Sequence, residues 1–290
     1  MSCPGTLPGT HVNVKVMDKI KILVPTDFSE CANNALKYAT HIVKELDSSL
    51  TIMHGYHIPI PAAEMTLSID PEMTSNYQRD VEEKVEELKE TIKGLDSIPS
   101  DFKFVMAFAV EAILHSIETT GTDLVIMGTK GASGVQKALF GSIASSIVQK
   151  SPKPVLTIPT QFEDFKLENI AIAVDLDSIS DYHIFDLVKL LAYMNNAEVH
   201  IINVSKENHD TDQLIEVKKL EALLGEVPHH YHVIRDHNVD KGIRDYIDKK
   251  NIDLLTMVTR HHSLLDRIFR KSHTKEMSSH IHIPLLTIPE

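Results

Sequence analysis

Cysteine is nearly absent from the chain. Cys3 and Cys31 are the two it has in 290 residues, too few for a disulfide framework or a cysteine-based metal site. Such usage suits a reducing compartment. Positive charge is also in deficit: 29 Lys and Arg face 41 Asp and Glu, a net charge of −12. A general nucleic-acid binder needs a basic surface, so that class is excluded. Binding one nucleotide is a different matter, because backbone N–H groups and a local field can hold it. No apolar run reaches the roughly 18 residues of a membrane span. The N-terminus lacks the continuous apolar core of a signal peptide. The expectation is a cytoplasmic protein with neither nucleic acid nor membrane as partner.

What is present points to two soluble globular domains. The length fits two domains of ordinary size, and 42% hydrophobic residues are enough for their cores. Residues 1–16, with Pro4, Gly5, Pro8 and Gly9, show little pattern and read as a loose arm; Met17 could equally be a start.

Lys19 to Val24 becomes continuously apolar and reads as a central parallel strand, with Pro25-Thr26-Asp27 the turn at its end. Ser29 can cap a helix carrying Ala32, Ala35, Leu36, Ala39 and Val43. Leu50 to His54 is a second strand. Gly55 to Ser75, with Pro59, Pro61 and Pro71, reads as a loop over the site. Val81, Val85, Leu88 and Ile92 mark one face of a helix whose Glu and Lys face solvent. Phe102 to Ala109 is a third strand, Glu111 to Thr120 a helix, Asp123 to Ile126 a fourth strand and Val155 to Pro159 a fifth. This alternation implies a doubly wound parallel sheet with right-handed crossovers.

The second half repeats the first. Glu168 to Asp175 parallels the opening strand and Asp181 to Ala192 the first helix. Val199 to Val204, Leu214 to Leu224 and Ile252 to Val258 follow in the same order. Leu285-Leu286-Thr287-Ile288-Pro289 nearly duplicates Val155 to Pro159. Two repeated domains are expected, over 17–160 and 167–290, each with five strands.

One stretch carries a candidate site. Met127-Gly128-Thr129-Lys130-Gly131 leaves the fourth strand, and Gly141-Ser142-Ile143 opens a helix. In an open α/β sheet, ligands bind outside the carboxyl ends of strands. Glycines permit close backbone approach, and the N–H groups of a helix start can hold phosphate oxygens. The spacing is Gly, two residues, Gly, nine residues, Gly-Ser. It matches neither the Walker A loop nor GxGxxG. On spacing alone a triphosphate cradle and a plain surface loop stay open.

This Gly-x2-Gly-x9-Gly-Ser pattern is similar to the ATP-binding signature of the universal stress protein family. Ile22 to Ser29 resembles that family's first strand and turn. The resemblance implies the Rossmann-like fold of adenine nucleotide alpha hydrolases, with ATP as ligand and Mg²⁺ accompanying the triphosphate. It implies that Pro25, Thr26 and Asp27 hold adenosine. Gly55 stands where the family's backbone meets adenine, and Met127 and Gly128 end the fourth strand. Gly131, Gly141, Ser142 and Ile143 would cradle phosphates, with Lys130 adding charge or facing solvent. In the family, last strands pair across a dimer; here two halves of one chain could do so and protect an open edge. Further association of two chains is left open.

The second half lacks the site residues. From Thr259 to Ser272 there is no glycine, and Pro25-Thr26 is replaced by Ala173-Val174. The expectation is that this half does not bind ATP in the family's manner. Arg260, Arg267, Arg270, Lys271 and Lys275 form a local basic stretch, readable as an anion site or as a solvated helix face. His230 and His232 share one strand face, but none of the 17 histidines lies in a catalytic zinc spacing. No Ser-His-Asp order or paired carboxylates stand out. Three functions compete: an ATP-binding stress sensor or regulator, a weak ATPase, and an anion- or metal-responsive interaction module.

Overall fold

The computed structural model describes residues 19–57, 71–131, 140–162, 166–174, 185–205, 211–236, 238–259 and 282–289. The first half runs β1 (Lys21–Pro25), α1 (Glu30–Leu46), β2 (Ser49–Tyr56), α2 (Pro71–Thr91), β3 (Ser100–Met106), α3 (Ala109–Thr120), β4 (Leu124–Gly128), α4 (Ser142–Lys150) and β5 (Val155–Ile158). The second runs β6 (Asn169–Ala173), α5 (Asp186–Asn195), β7 (Glu198–Ser205), α6 (Thr211–Leu224), β8 (His229–Arg235), α7 (Val239–Lys250), β9 (Leu254–Thr259) and β10 (Leu285–Pro289).

The ten strands form one sheet, in the order β3-β2-β1-β4-β5-β10-β9-β6-β7-β8. The second half mirrors the first. Within each half the pairs are parallel; β5 and β10 join the halves antiparallel, with Leu286 opposite Leu156. The two expected five-stranded sets are thus present and continuous with each other.

Strand alternation sends side chains to two apolar layers. Ile22 and Val24 of β1 face the layer packed by α1, α2, α5 and α6, while Leu23 faces the layer packed by α3, α4 and α7. Both layers draw residues from both halves. Central strands buried on two faces explain the uninterrupted apolar runs of β1 and β4.

Local chemistry sets the boundaries. The Ser29 side chain accepts from Ala32 N and caps α1. Val81, Val85 and Leu88 of α2 are buried, as is Ile92 just past its end. α2 begins earlier than the sequence pattern implies, at Pro71, because proline in a first helical turn sacrifices no intrahelical hydrogen bond. α3 begins at Ala109, and β3 is correspondingly shorter than Phe102 to Ala109.

Candidate functional site

The strand order reverses at β1 and β4, with β2 on one side and β5 on the other. Connections leave in opposite directions there, so a crevice opens beyond the strand ends. A cleft of about 680 Å³, solvent at its mouth included, occupies that position.

Every residue named for the site lines this cleft. Pro25, Thr26 and Asp27 come from the end of β1, and Gly55 from β2. Met127, Gly128, Lys130 and Gly131 come from β4 and beyond, and Gly141, Ser142 and Ile143 from the start of α4. Two sequence motifs a hundred residues apart therefore meet at one place. Ala32, Met53, Ala109, Ile113, Thr129 and Ala144 complete the lining. Sequence pattern does not single these out, since small and apolar residues in a cleft wall look like core. Ala132 to Leu139 lie outside the described residues.

The β1 turn is tightly specified. Thr26 N donates to Met53 O at 2.8 Å. Thr26 Oγ1 accepts from Phe28 N at 3.0 Å, and Asp27 Oδ1 accepts from Ser29 N at 3.1 Å. These short-range bonds hold Phe28 at φ +62°, a conformation non-glycine residues rarely take. Behind the turn, His54 Nδ1–H donates to Thr26 O at 2.8 Å, which leaves Nε2 to accept from the Tyr77 hydroxyl at 2.9 Å. Burial holds the His54 pKa below its usual 6.5, favouring the neutral ring. Phe28 packs on that ring, centroids 4.9 Å apart, and Lys84 stands 5.4 Å over the Phe28 face.

The glycines serve close approach rather than handedness. None of Gly55, Gly128, Gly131 and Gly141 takes positive φ. A Cβ on Gly131 would lie 2.7 Å from Asp27 Oδ2, so the loop backbone rests against the carboxylate that lines the cleft. A Cβ on Gly128 would meet Cys31 Sγ at 2.8 Å and the Cys31 carbonyl at 2.9 Å, so this glycine seats α1 against β4. A Cβ on Gly55 would meet Ala112 Cβ at 2.9 Å, so this one seats α3 against β2.

Gly141 is the N-cap of α4; its N–H donates to Thr129 O at 2.7 Å, and no side chain caps the helix. The first amides of α4 are free for a ligand in the way any helix start leaves them, and anions are favoured there. Ser142 is exposed beside them. The lining is therefore polar and amide-rich on the α4 side and apolar on the Met53, Ala109 and Ile113 side. Asp27 is the one carboxylate among the lining residues, and no cluster of three metal-ligating side chains occurs among the described residues. A divalent cation in this cleft would meet Asp27 as the one lining carboxylate.

The histidines gather elsewhere. His200 Nδ1 accepts from the Tyr246 hydroxyl at 3.0 Å, and Nε2–H donates to Asn169 Oδ1 at 3.3 Å. His230 Nε2 lies 3.2 Å from Glu198 Oε1. His230 and His232 do share a face, with ring centroids 6.2 Å apart. The basic stretch of Arg260 to Lys275 and Asp175 lie outside the described residues.

The model of the universal stress protein family matches residues 20–159 and 205–289. A universal stress protein of Synechocystis is 22% identical over 287 residues, covering 92% of this chain and 98% of its own length. One from Methanocaldococcus jannaschii is 26% identical over 152 residues, covering 48% of this chain and 93% of its own. Among solved structures, a universal stress protein from Archaeoglobus fulgidus superposes with a TM-score of 0.65 at 19% identity, over 93% of this chain and 98% of that one. At that identity the likeness is one of fold.

Proposed function

The chain belongs to the universal stress protein family, and from that premise we propose that it is an ATP-binding sensor or regulator of the stress response. Its nucleotide is held by a first domain over 17–160. A second domain, over 167–290, packs against the first as a built-in partner and holds no ATP in the family's manner. The observation that carries this reading is the convergence of Pro25-Thr26-Asp27 with Gly128, Gly131, Gly141, Ser142 and Ile143 on one cleft. The two ends of that cleft differ as the two ends of a nucleotide differ. The uncapped start of α4 takes the phosphates, Asp27 accepts hydrogen bonds from ribose or base, and the apolar end takes the ring. Antiparallel pairing of β5 with β10 supports an intrachain pseudo-dimer of the two domains.

The test is to release small molecules from freshly purified protein for mass spectrometry, and to titrate stripped protein with ATP calorimetrically. Stoichiometric binding with little phosphate release is the expected result. Sustained turnover would replace the sensor with an ATPase, and failure to bind any adenine nucleotide would end the reading.

A further inference from the structure

Asp27 reaches the cleft from a turn that is held at two levels. Within the turn, Thr26 Oγ1 and Asp27 Oδ1 accept from the amides of Phe28 and Ser29, while Asp27 Oδ2 lies toward Gly131. From outside the turn, His54 Nδ1–H holds the Thr26 carbonyl at 2.8 Å. His54 stands on β2 between Met53 and Gly55, which both line the cleft. Strand alternation turns its side chain to the other face of the sheet. There its Nε2 accepts from the Tyr77 hydroxyl of α2 at 2.9 Å. The Tyr77 ring is stacked on Tyr56, centroids 4.9 Å apart. A chain of two hydrogen bonds therefore runs from the cleft turn to a helix that supplies no lining residue.

The second half is built differently at the matching place. The bond from Val174 N to Ile202 O repeats the one from Thr26 N to Met53 O, which makes Asn203 the counterpart of His54. Asn203 is buried and hydrogen-bonds Tyr231 of the neighbouring strand β8. A polar side chain at this position can thus be satisfied within the sheet. In the half that carries the cleft, a histidine joins the turn to a helix.

We propose that His54 is a positioning residue of the nucleotide cleft, and that through Tyr77 it makes the docking of α2 depend on what the cleft holds. This inference rests on the nucleotide reading above. The imidazole supplies the two-state element. A carbonyl only accepts, so a turn in place selects the tautomer with hydrogen on Nδ1. Nε2 is then the acceptor, and the Tyr77 hydroxyl must donate to it. A turn that shifts releases the ring to its other tautomer, and the bond to Tyr77 must reverse. Burial keeps the ring neutral, with Lys84 and Asp27 the charged groups acting on it, so the tautomer carries the coupling. A ligand that fixes Thr26 and Asp27 favours one arrangement of the α2 contact, and by linkage that contact favours the ligand.

The test measures ATP affinity by calorimetry, stability in urea and amide hydrogen exchange over 81–91 of α2, all on the full chain. Saturating ATP is expected to slow exchange in that part of the wild-type helix. Tyr77→Phe keeps the ring on Tyr56 and removes the hydroxyl. It is expected to bind ATP about fivefold more weakly and to lose the slowing at saturating ATP. His54→Leu is expected to weaken ATP about tenfold. His54→Asn, which returns a donor to the Thr26 carbonyl, is expected to recover most of that loss without the slowing. Should His54→Leu not fold, Tyr77→Phe decides alone. An unchanged ATP affinity in either variant, whatever its urea midpoint, would make the bonds merely structural and overturn the proposal while leaving the nucleotide reading intact. So would slowing of α2 that persists in Tyr77→Phe. Wild-type protein that fails to bind ATP removes the nucleotide reading and the proposal together.

Discussion

The hydroxyl of Thr157 donates to the carbonyl of Leu285 at 3.1 Å. The bond has a counterpart, from the Thr287 hydroxyl to the Val155 carbonyl at 3.2 Å. The two bonds lie on either side of the Leu156–Leu286 pair. The near-duplicated strand sequences meet about a local two-fold axis, each supplying the other's hydroxyl donor. Without this seam, β5 and β10 would each leave a row of backbone groups open at a sheet edge.

Removing both hydroxyls tests what the seam contributes. Thr157→Val with Thr287→Val preserves shape and deletes two buried donors. A net loss of about 2 kcal/mol is expected, roughly 1 per hydrogen bond, seen as a lower urea midpoint with an unchanged slope. A midpoint equal to that of the wild type would mean that the ladder alone holds the halves together.

Gly131 and Gly128 separate binding from folding. A side chain at Gly131 must displace the Asp27 carboxylate, 2.7 Å from its Cβ. That carboxylate is the end of a side chain and can yield, so the fold survives while the ligand contact is lost. Gly131→Val is expected to abolish the thermal upshift given by saturating ATP with a near-native melting temperature for the unliganded protein. An ATP upshift that persists in this variant would remove Asp27 and Gly131 from the site.

Gly128→Ala is expected to act on the fold itself. Its Cβ would fall 2.9 Å from the backbone carbonyl of Cys31 in α1, which cannot move without shifting the helix. Overpacking of this kind costs about 1–3 kcal/mol, readable in chemical denaturation. A variant of native stability would show that α1 and β4 can part at no cost.

Much of this could be read in advance. The Ser29 cap, the α2 stripe and the matching Leu-Thr-Ile-Pro strand ends are local patterns with one physical meaning each, and each appears in the fold. The spacing from Gly128 to Ser142 marks a passage from strand to helix, and Gly128, Gly131, Gly141 and Ser142 line the cleft. What the chain withheld was the reason for individual glycines. Gly55 and Gly128 both line the cleft, and each is also required where a helix presses against a strand. That depends on partners distant in sequence, Ala112 and Cys31, which no spacing rule identifies. The start of α2 was hidden for another reason: Pro71 reads as a helix breaker unless its position in the first turn is known. Ile113 shows the same limit, since an apolar residue on the inward face of a helix has the same appearance whether it fills a core or faces a cleft.

The histidine cluster of the second half sets an acid limit on stability. Burial lowers the pKa of His200 and of His232 below the usual 6.5, and nearby positive groups add to this. The groups facing the pair are Glu198, His230, Tyr246 and Lys250. Glu198 is the one anion among them; burial, and after it the charge of Glu198, push the Tyr246 hydroxyl up to about 12, so Tyr246 stays a neutral donor to His200. Below pH 6.5 the unfolded chain takes up protons that the folded cluster resists. Stability is therefore fully present above 6.5 and falls with pH down to the lowered folded values. His54 contributes in the same direction from the first half. Urea midpoints measured between pH 7.5 and 5.5, above the range where carboxylates titrate, are expected to decline. His200→Gln, which keeps a polar side chain but cannot titrate, is expected to reduce that slope. A decline of equal steepness in the variant would assign the pH dependence to groups other than this cluster.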